Sequence, residues 1–116
     1  MPRKPKLVHA LKMIFGVRDA EAAEGFYLEG MWSAEQGNED AARELFRTAA
    51  LLDKRFGGAR YNFAALTEKR LGASPETIAA WKDYVACAAD DSRQPAEIIE
   101  KVRRHIADLE AKTARG

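Results

Sequence analysis

The chain contains two stretches of similar sequence that begin 35 positions apart, "SAEQGNEDAARELFRTAAL" at Ser33 and "EKRLGASPETIAAWKDYVA" at Glu68. Four pairs of size-matched residues share that offset: Phe26 with Tyr61, Gly30 with Ala65, Gly37 with Gly72, and Phe46 with Trp81. Self-similarity at a fixed period is the sequence signature of a repeat architecture. The sequence therefore predicts two copies of one structural unit.

The spacing inside each copy indicates what this unit is. In both copies a small residue is followed seven positions later by a glycine, and nine positions after that by a bulky aromatic residue. A glycine between two helical runs is typical of the turn of an αα-hairpin. Each copy is thus predicted to be a pair of antiparallel helices.

The repeat resembles a known family. The residues that carry the resemblance are Phe26, Gly30, Gly37, Ala42, Phe46 and Ala49 in the first copy, and Tyr61, Ala65, Gly72 and Trp81 in the second. Period and pattern are similar to those of the tetratricopeptide repeat, a helix-turn-helix unit of roughly 34 residues. The resemblance covers about residues 23–92 and implies an all-α, TPR-like α-α superhelix.

The rest of the chain fits around these repeats. Ile99, Val102, Ile106 and Leu109 follow a three-four spacing, which predicts an amphipathic helix that covers the open apolar face of the last repeat. The expected organisation is a basic amphipathic segment at 1–18, two repeats within 19–92 (about 23–57 and 58–92), and a capping helix at 93–116.

Several local signals predict where helices begin and end. Asn38 is expected to open the second helix, and Ser74 followed by Pro75 is expected to open the fourth. A serine side chain accepts a hydrogen bond from a free N–H of the first turn, and proline is tolerated at the first helical position because an N–H there has no partner within the helix. The pair Gly57 and Gly58 is expected to end the second helix.

Composition agrees with one ordinary domain. The chain has 116 residues, of which 47% are apolar and 32% are charged, and its formal net charge is +1. No apolar run approaches the roughly 18 residues that a membrane span requires. Cys87 is the single cysteine, so an internal disulfide is impossible and a reducing, cytoplasmic location is expected.

Charge is unevenly distributed near the N-terminus. Residues 1–18 hold five lysines and arginines and no acid, whereas residues 19–44 hold eight acids against one arginine. Leu7, Leu11 and Ile14 could form one apolar face in the basic segment. This segment could pack on the repeats, or it could bind an anionic membrane surface or nucleic acid with the repeats as its carrier. A signal peptide is disfavoured because charged Lys12 interrupts the apolar run.

No pattern in the sequence favours catalysis, a cofactor or a metal site. The chain has no H-E-x-x-H motif, no cysteine pair and no glycine-rich phosphate loop. Glu39 and Asp40 are interpreted as acids that interact with a helix dipole. His105 is expected at the surface, and Asp90 with Asp91 in a solvated loop.

Three further side chains have a structural and a functional interpretation. Trp81 and Phe46 could line a ligand pocket, but their equivalent repeat positions favour the core. Cys87 could be a nucleophile, but it lies in a helical run with no histidine nearby in sequence, which favours a packing role.

The resemblance implies a non-enzymatic interaction module or adaptor that binds a peptide or helix in a concave groove. Carried over by register, the groove residues are Glu24, Tyr27, Met31, Glu35, Asn62, Leu66, Lys69 and Arg70. Of the lysine, asparagine and arginine clamp of chaperone-binding members, only Asn62 is matched, so an apolar or mixed peptide fits better. A protein or peptide partner is expected, self-association into a homo-oligomer is left open, and nucleic acid or membrane partners are disfavoured.

Overall fold

A computed structural model describes residues 19–115, and its regular structure over that range consists of five α-helices. They are α1 (Asp19–Glu35), α2 (Glu39–Leu52), α3 (Gly57–Leu71), α4 (Pro75–Ala88) and α5 (Ala96–Arg115). The predicted amphipathic segment at 1–18 lies outside the described residues. The described residues divide into two compact units, residues 19–54 with α1 and α2, and residues 55–115 with α3, α4 and α5.

In the first unit, α1 and α2 pack together as a hairpin. Its turn contains Gly37, whose φ of 81° lies in the left-handed region that favours glycine. The side chain of Asn38 accepts a hydrogen bond of 3.4 Å from the backbone N–H of Ala41, so it caps α2 as predicted. The turn glycine and the cap follow directly from the sequence pattern.

The two helices of this hairpin approach each other where Gly30 faces Phe46. The ring of Phe46 is 1% exposed, and a Cβ atom at Gly30 would lie 2.8 Å from its Cε1 atom. The ring of Tyr27 packs against the same phenyl ring, with 5.5 Å between centroids. Gly30 is therefore required by its packing against the aromatic residue of the same repeat.

In the second unit, α4 packs on α3 and α5 packs on α4. The turn between α3 and α4 contains Gly72, which has a φ of 65°. Ser74 caps α4 by accepting a hydrogen bond of 3.2 Å from the N–H of Thr77, and Pro75 is the first helical residue. Both predicted hairpin turns are thus confirmed at the matched glycines.

The core of the second unit is built from all three of its helices. Its buried members are Ala64, Ala80, Trp81, Tyr84, Ala88, Val102, Ile106 and Leu109. Tyr61, Trp81 and Tyr84 form a group of edge-to-face rings, an arrangement that aromatic side chains favour. Of the α5 stripe that was predicted to cover the second repeat, Val102, Ile106 and Leu109 are buried and Ile99 is half-buried.

Gly57 and Gly58 begin a helix, so the prediction that they end one is wrong. The second helix already ends at Leu52, and Gly57 is the first residue of α3. A side chain at Gly57 would have no room, because a Cβ atom would lie 2.6 Å from Cγ of Gln94 and 2.9 Å from Oδ2 of Asp91. A glycine avoids this overlap, which is a tertiary constraint that local sequence does not reveal.

The all-α prediction is confirmed over residues 19–115, while a TPR-like superhelix stays a prediction. Within the same range, no helix has the length and the apolar content that crossing a membrane would need.

Candidate binding cleft

A cleft of about 470 Å³ lies in the second unit, with α3 on one side, α5 on the other and a residue of α4 between them. Its lining consists of Tyr61, Ala65, Glu68, Lys69, Trp81, Ile98, Lys101, Val102 and His105. The volume falls within the roughly 300–1,000 Å³ that ligand pockets occupy. The cleft is therefore large enough to hold a ligand or the side chains of a partner.

Helical spacing explains why these residues meet. On α3, Tyr61, Ala65 and Glu68 are separated by four and then three positions, which places them on one face. On α5, Ile98 and His105 are separated by seven positions and share a face in the same way. Each helix therefore presents to the cleft two aromatic or aliphatic residues and two ionisable ones, Glu68 and Lys69 on α3 and Lys101 and His105 on α5.

The indole of Trp81 forms the floor of the cleft. It is 5% exposed, its ring centroid lies 5.1 Å from that of Tyr61 and 5.8 Å from that of His105, and both contacts are edge-to-face. From the sequence alone, a place in the core and a place in the lining of a pocket are alternative predictions for Trp81. The structure places the ring in the core and one of its edges at the cleft.

Glu68 links the three helices of this unit. Its Oε1 atom accepts a hydrogen bond of 2.8 Å from Trp81 Nε1 and lies 2.6 Å from His105 Nε2. Burial by itself would raise the pKa of Glu68. The hydrogen bonds from His105 and Trp81, together with the positive charges of His105 and Lys112, outweigh that effect and lower the pKa. The carboxylate is thus held ionised between the two walls.

His105 is a partner of Glu68 and is also partly at the surface, where it was predicted. Its side chain is 38% exposed, so the ring is half-buried, and it lies across the cleft from the helix that carries its carboxylate partner. The contact is an ion pair when the imidazole is protonated.

Two lysines complete the lining. Lys69 belongs to α3 and Lys101 belongs to α5, and both residues are exposed. Long basic side chains bury their methylene stems along apolar surface while the ammonium group stays in water. These two residues therefore give the rim of the cleft positive charge above an aromatic and aliphatic interior.

Asp91 is the centre of a second polar cluster, which joins two segments of the second unit through hydrogen bonds to Gly57 and Arg93. Its carboxylate is 6% exposed and accepts hydrogen bonds from the N–H of Gly57 at 2.9 Å and from Nε of Arg93 at 2.9 Å. The prediction of a solvated loop is therefore wrong for Asp91. Burial alone would raise its pKa, but these bonds and the charge of Arg93 lower it. The carboxylate ties the loop after α4 to the first residue of α3.

The neighbours of Asp91 strengthen this tie. The hydroxyl of Tyr84 donates to Oε1 of Gln94 at 2.8 Å, and the guanidinium of Arg93 lies 5.1 Å from the ring centroid of Phe56. Burial, followed by the nearby Tyr61, Asp91 and Cys87, raises the pKa of Tyr84, so its hydroxyl stays a proton donor at neutral pH. This cluster is satisfied internally and offers little to a ligand.

A second depression, of about 520 Å³, lies where the start of α4 meets the end of α5. It is lined by Pro75, Ile78, Ala79, Lys82, Glu110, Thr113 and Ala114. Its two charged groups, Lys82 and Glu110, pair with each other at 3.3 Å. Although its volume is larger, it lacks an aromatic floor and converging polar groups, so the cleft between α3 and α5 is the better candidate site.

The groove predicted from the family resemblance shares one residue with this cleft, Lys69. Of the predicted positions on α1, Tyr27 is half-buried against Phe46, while Glu24, Met31 and Glu35 are exposed. Of those on α3, Asn62 and Leu66 are half-buried, and Lys69 and Arg70 are exposed. A groove that uses both sets of residues stays a prediction.

Sequence reasoning missed Glu68 and His105 as site residues. A signal for His105 existed, because Ile98, Val102, His105 and Leu109 follow a four-three-four spacing that places the imidazole in the apolar register of α5. Glu68 follows Tyr61 by seven positions, which puts it on the aromatic face of α3. Nothing in the local sequence indicates that these two side chains meet 37 positions apart.

Over residues 19–115, no group of three histidine, cysteine, aspartate or glutamate side chains is arranged to hold a metal ion. Comparisons of the chain with known protein families, with curated proteins and with solved structures found no match.

Proposed function

We propose that this protein is a non-enzymatic interaction module that binds a segment of a partner protein in the cleft between α3 and α5. The observation that carries the proposal is the cavity of about 470 Å³ itself, which combines aromatic and aliphatic walls with a few polar groups that converge on it. Concave, mainly apolar sites with a small number of placed polar groups are where proteins bind ligands.

The chemistry of the lining favours binding over catalysis. The residues that line the cleft include no serine, threonine or cysteine that could act as a nucleophile. The pair formed by Glu68 and His105 could exchange a proton, but Glu68 Oε1 is already engaged by both Trp81 and His105. Holding the walls of the cleft is the role that these contacts support.

The shape of the site favours a peptide partner. Two helices form the walls, and a groove between helices is a common place for an amphipathic partner helix or an extended peptide to lay its apolar side chains. A TPR-like array of helical hairpins, which we propose for this chain on the strength of its 35-residue repeat and its two glycine turns, would present such grooves. The lone Cys87 supports a cytoplasmic location.

Peptide selection tests this function directly. A displayed library of random peptides would be selected on the immobilised protein, and the affinities of the enriched peptides would be measured by isothermal titration calorimetry. The blocking variant is Ala65→Leu, which adds a side chain inside the cleft, and its matched control is Ala86→Leu, which adds the same group at an exposed position of α4 outside the lining.

Enriched peptides are expected to lose most of their affinity for Ala65→Leu and to keep it for Ala86→Leu. Circular dichroism would verify that both variants stay helical. Peptides that bind Ala65→Leu as tightly as the parent protein would show that the cleft is not the binding site, and a selection with no enrichment would contradict the proposed function as a whole.

A further inference from the structure

Two ionisable groups on opposite walls of the cleft carry opposite charge. Glu68 belongs to α3 and Lys101 belongs to α5, and both line the cavity. Lys69 already takes part in an interaction within the protein, so its charge is not available to a ligand. With a neutral His105 the two remaining charges balance. A ligand of either charge would therefore meet one group of like sign, which opposes its binding.

Both of these groups can form further hydrogen bonds. The contacts of Glu68 with Trp81 Nε1 and His105 Nε2 converge on its Oε1 atom. Within residues 19–115, Glu68 Oε2 and the ammonium group of Lys101 have no hydrogen-bond or ion-pair partner. A carboxylate oxygen only accepts hydrogen bonds, and an ammonium group only donates them. The cleft therefore offers one acceptor and one donor from opposite walls.

The spacing along α5 brings this donor near the acceptor. Lys101 precedes His105 by four positions, so the two side chains are neighbours on one face of the helix, with about 5–6 Å between their Cβ atoms. His105 Nε2 in turn lies 2.6 Å from Glu68 Oε1. Lys101 and Glu68 are therefore close enough for one small polar group to contact both.

A primary carboxamide matches this pair of groups. Its carbonyl oxygen accepts hydrogen bonds and its NH₂ group donates them, and it carries no charge. The oxygen would accept from Lys101 while the NH₂ group donates to Glu68 Oε2. A carboxylate would offer Glu68 no donor, and an ammonium group would offer Lys101 no acceptor. Among protein side chains, those of asparagine and glutamine have the required group.

The rest of the cavity requires an apolar neighbour for this carboxamide. The rings of Tyr61 and Trp81 and the aliphatic side chains of Ile98 and Val102 line it. A polar group placed against them would lose its hydration without gaining partners, which costs free energy. Residues 1–18 contain neither asparagine nor glutamine, so the chain's own N-terminal segment does not have the required chemistry.

From these observations we infer that the cleft binds a segment of a partner protein in which an asparagine or glutamine lies within four positions of an aromatic or aliphatic residue. The carboxamide binds between Glu68 and Lys101. The apolar side chain contacts the rings of Tyr61 and Trp81. This inference rests on the proposed function and specifies the ligand class of the same site.

The test compares versions of one peptide on two proteins. Peptides enriched on the parent protein would be synthesised with blocked termini, each with an apolar version (Asn to Leu or Gln to Met) and an acidic version (Asn to Asp or Gln to Glu). Isothermal titration calorimetry would measure their affinities for the parent protein and for Lys101→Met. The matched control is Arg104→Met, which removes an exposed positive charge from the same helix outside the lining.

On the parent protein, the apolar and acidic versions are expected to bind about 3- to 10-fold more weakly than the original peptide, the range of one or two hydrogen bonds. The original peptide should lose a similar factor on Lys101→Met. The apolar version should lose less on Lys101→Met than on the parent protein, because the donor to the carbonyl oxygen is missing there. Arg104→Met should bind every version as the parent protein does.

Several results would overturn the ligand class alone. They are enriched peptides without a carboxamide, apolar or acidic versions that bind as tightly as the originals, and an apolar version that loses the same factor on Lys101→Met as on the parent protein. In each case, sensitivity to Ala65→Leu would still show that the cleft binds peptides. Loss of sensitivity to Ala65→Leu would overturn both the ligand class and the proposed function.

Discussion

The same pair of repeat positions is used differently in the two units of the molecule. In the α1–α2 hairpin, Gly30 lies directly against Phe46, with no space for even one methyl group between the helices. In the second unit the corresponding residues are Ala65 and Trp81, and both line a cleft of about 470 Å³. In the first unit the small residue and the ring are in contact, so no cavity remains between them. In the second unit the same two positions line a cavity, which is the candidate site.

Two carboxylates of the second unit join parts of the chain that are distant in sequence. In the second unit, Glu68 and Asp91 each form contacts across more than 30 positions of sequence. Contacts at such separation fix helices relative to each other, whereas contacts within a turn fix helix ends.

The largest loss of stability is expected when the central aromatic ring of either unit is removed. Phe46→Ala and Trp81→Ala should each lower the free energy of unfolding by about 3–5 kcal/mol, because both rings are buried and leave cavities. Urea denaturation followed by circular dichroism measures this. An unchanged midpoint for either variant would contradict the assignment of its ring to the core.

Exchange of the two small residues tests the comparison itself. Gly30→Ala should cost about 1–3 kcal/mol, because the added methyl group overlaps the buried phenyl ring of Phe46. Ala65→Gly should cost only about 0.5–1 kcal/mol, the usual penalty of glycine in a helix. Thermal denaturation of the two single variants provides the measurement, and equal losses would show that the two positions are packed alike.

Loss of the Asp91 carboxylate should have an intermediate effect. Asp91→Ala removes one of the two acceptors of the buried Gly57 N–H, which keeps the carbonyl of Arg55, so the change should cost about 1 kcal/mol. Asp90→Ala, a change at the exposed neighbouring residue, serves as control and should stay within about 0.5 kcal/mol of the parent protein. Hydrogen exchange at the Gly57 amide reports the same contact, and unchanged protection in Asp91→Ala would refute it.

The smallest expected effect is on the pH dependence of stability. Because the folded-state pKa of Glu68 is lowered, its contribution to stability is present above its unfolded pKa of about 4.3 and is lost as the pH falls through the folded value. Glu68→Gln should therefore lose less stability than the parent protein between neutral and acidic pH. Since the side chain is 30% exposed, solvent screening keeps the difference small.

The control for this comparison is Glu100→Gln, which removes an exposed carboxylate from α5 outside the cleft. Its unfolding curves should follow those of the parent protein over the same pH range. A Glu68→Gln profile that is as steep as the parent profile would show that the contacts of this carboxylate with Trp81 and His105 do not stabilise the fold.

Much of the fold could be predicted because its signals are local. The turn at Gly37, the cap at Ser74 and the apolar stripe that begins at Ile99 each depend on residues that are close together in sequence. The start of α3 could not be predicted, since Gly57 is required by Asp91 and Gln94 from a distant loop.

The candidate site was only partly predictable for the same reason. Lys69 was nominated by repeat register, and Trp81 was recognised as an important aromatic position. Glu68 and His105 form a site only because α5 returns past α3, and this approach depends on how the helices pack on α4. Periodicity can show which face of a helix is apolar, but it does not specify which ionisable groups will meet across a cleft.

The position of Trp81 also has an optical consequence. The chain has two tryptophans, Trp32 in the hairpin and Trp81 at the floor of the cleft, so each unit contains its own fluorophore. A segment that enters the cleft would change the surroundings of the Trp81 indole, whose N–H donates to Glu68 and whose ring lies 5.8 Å from that of His105 between centroids. In a Trp32→Phe background, the emission of the protein would therefore report occupancy of this cleft alone, without any attached dye.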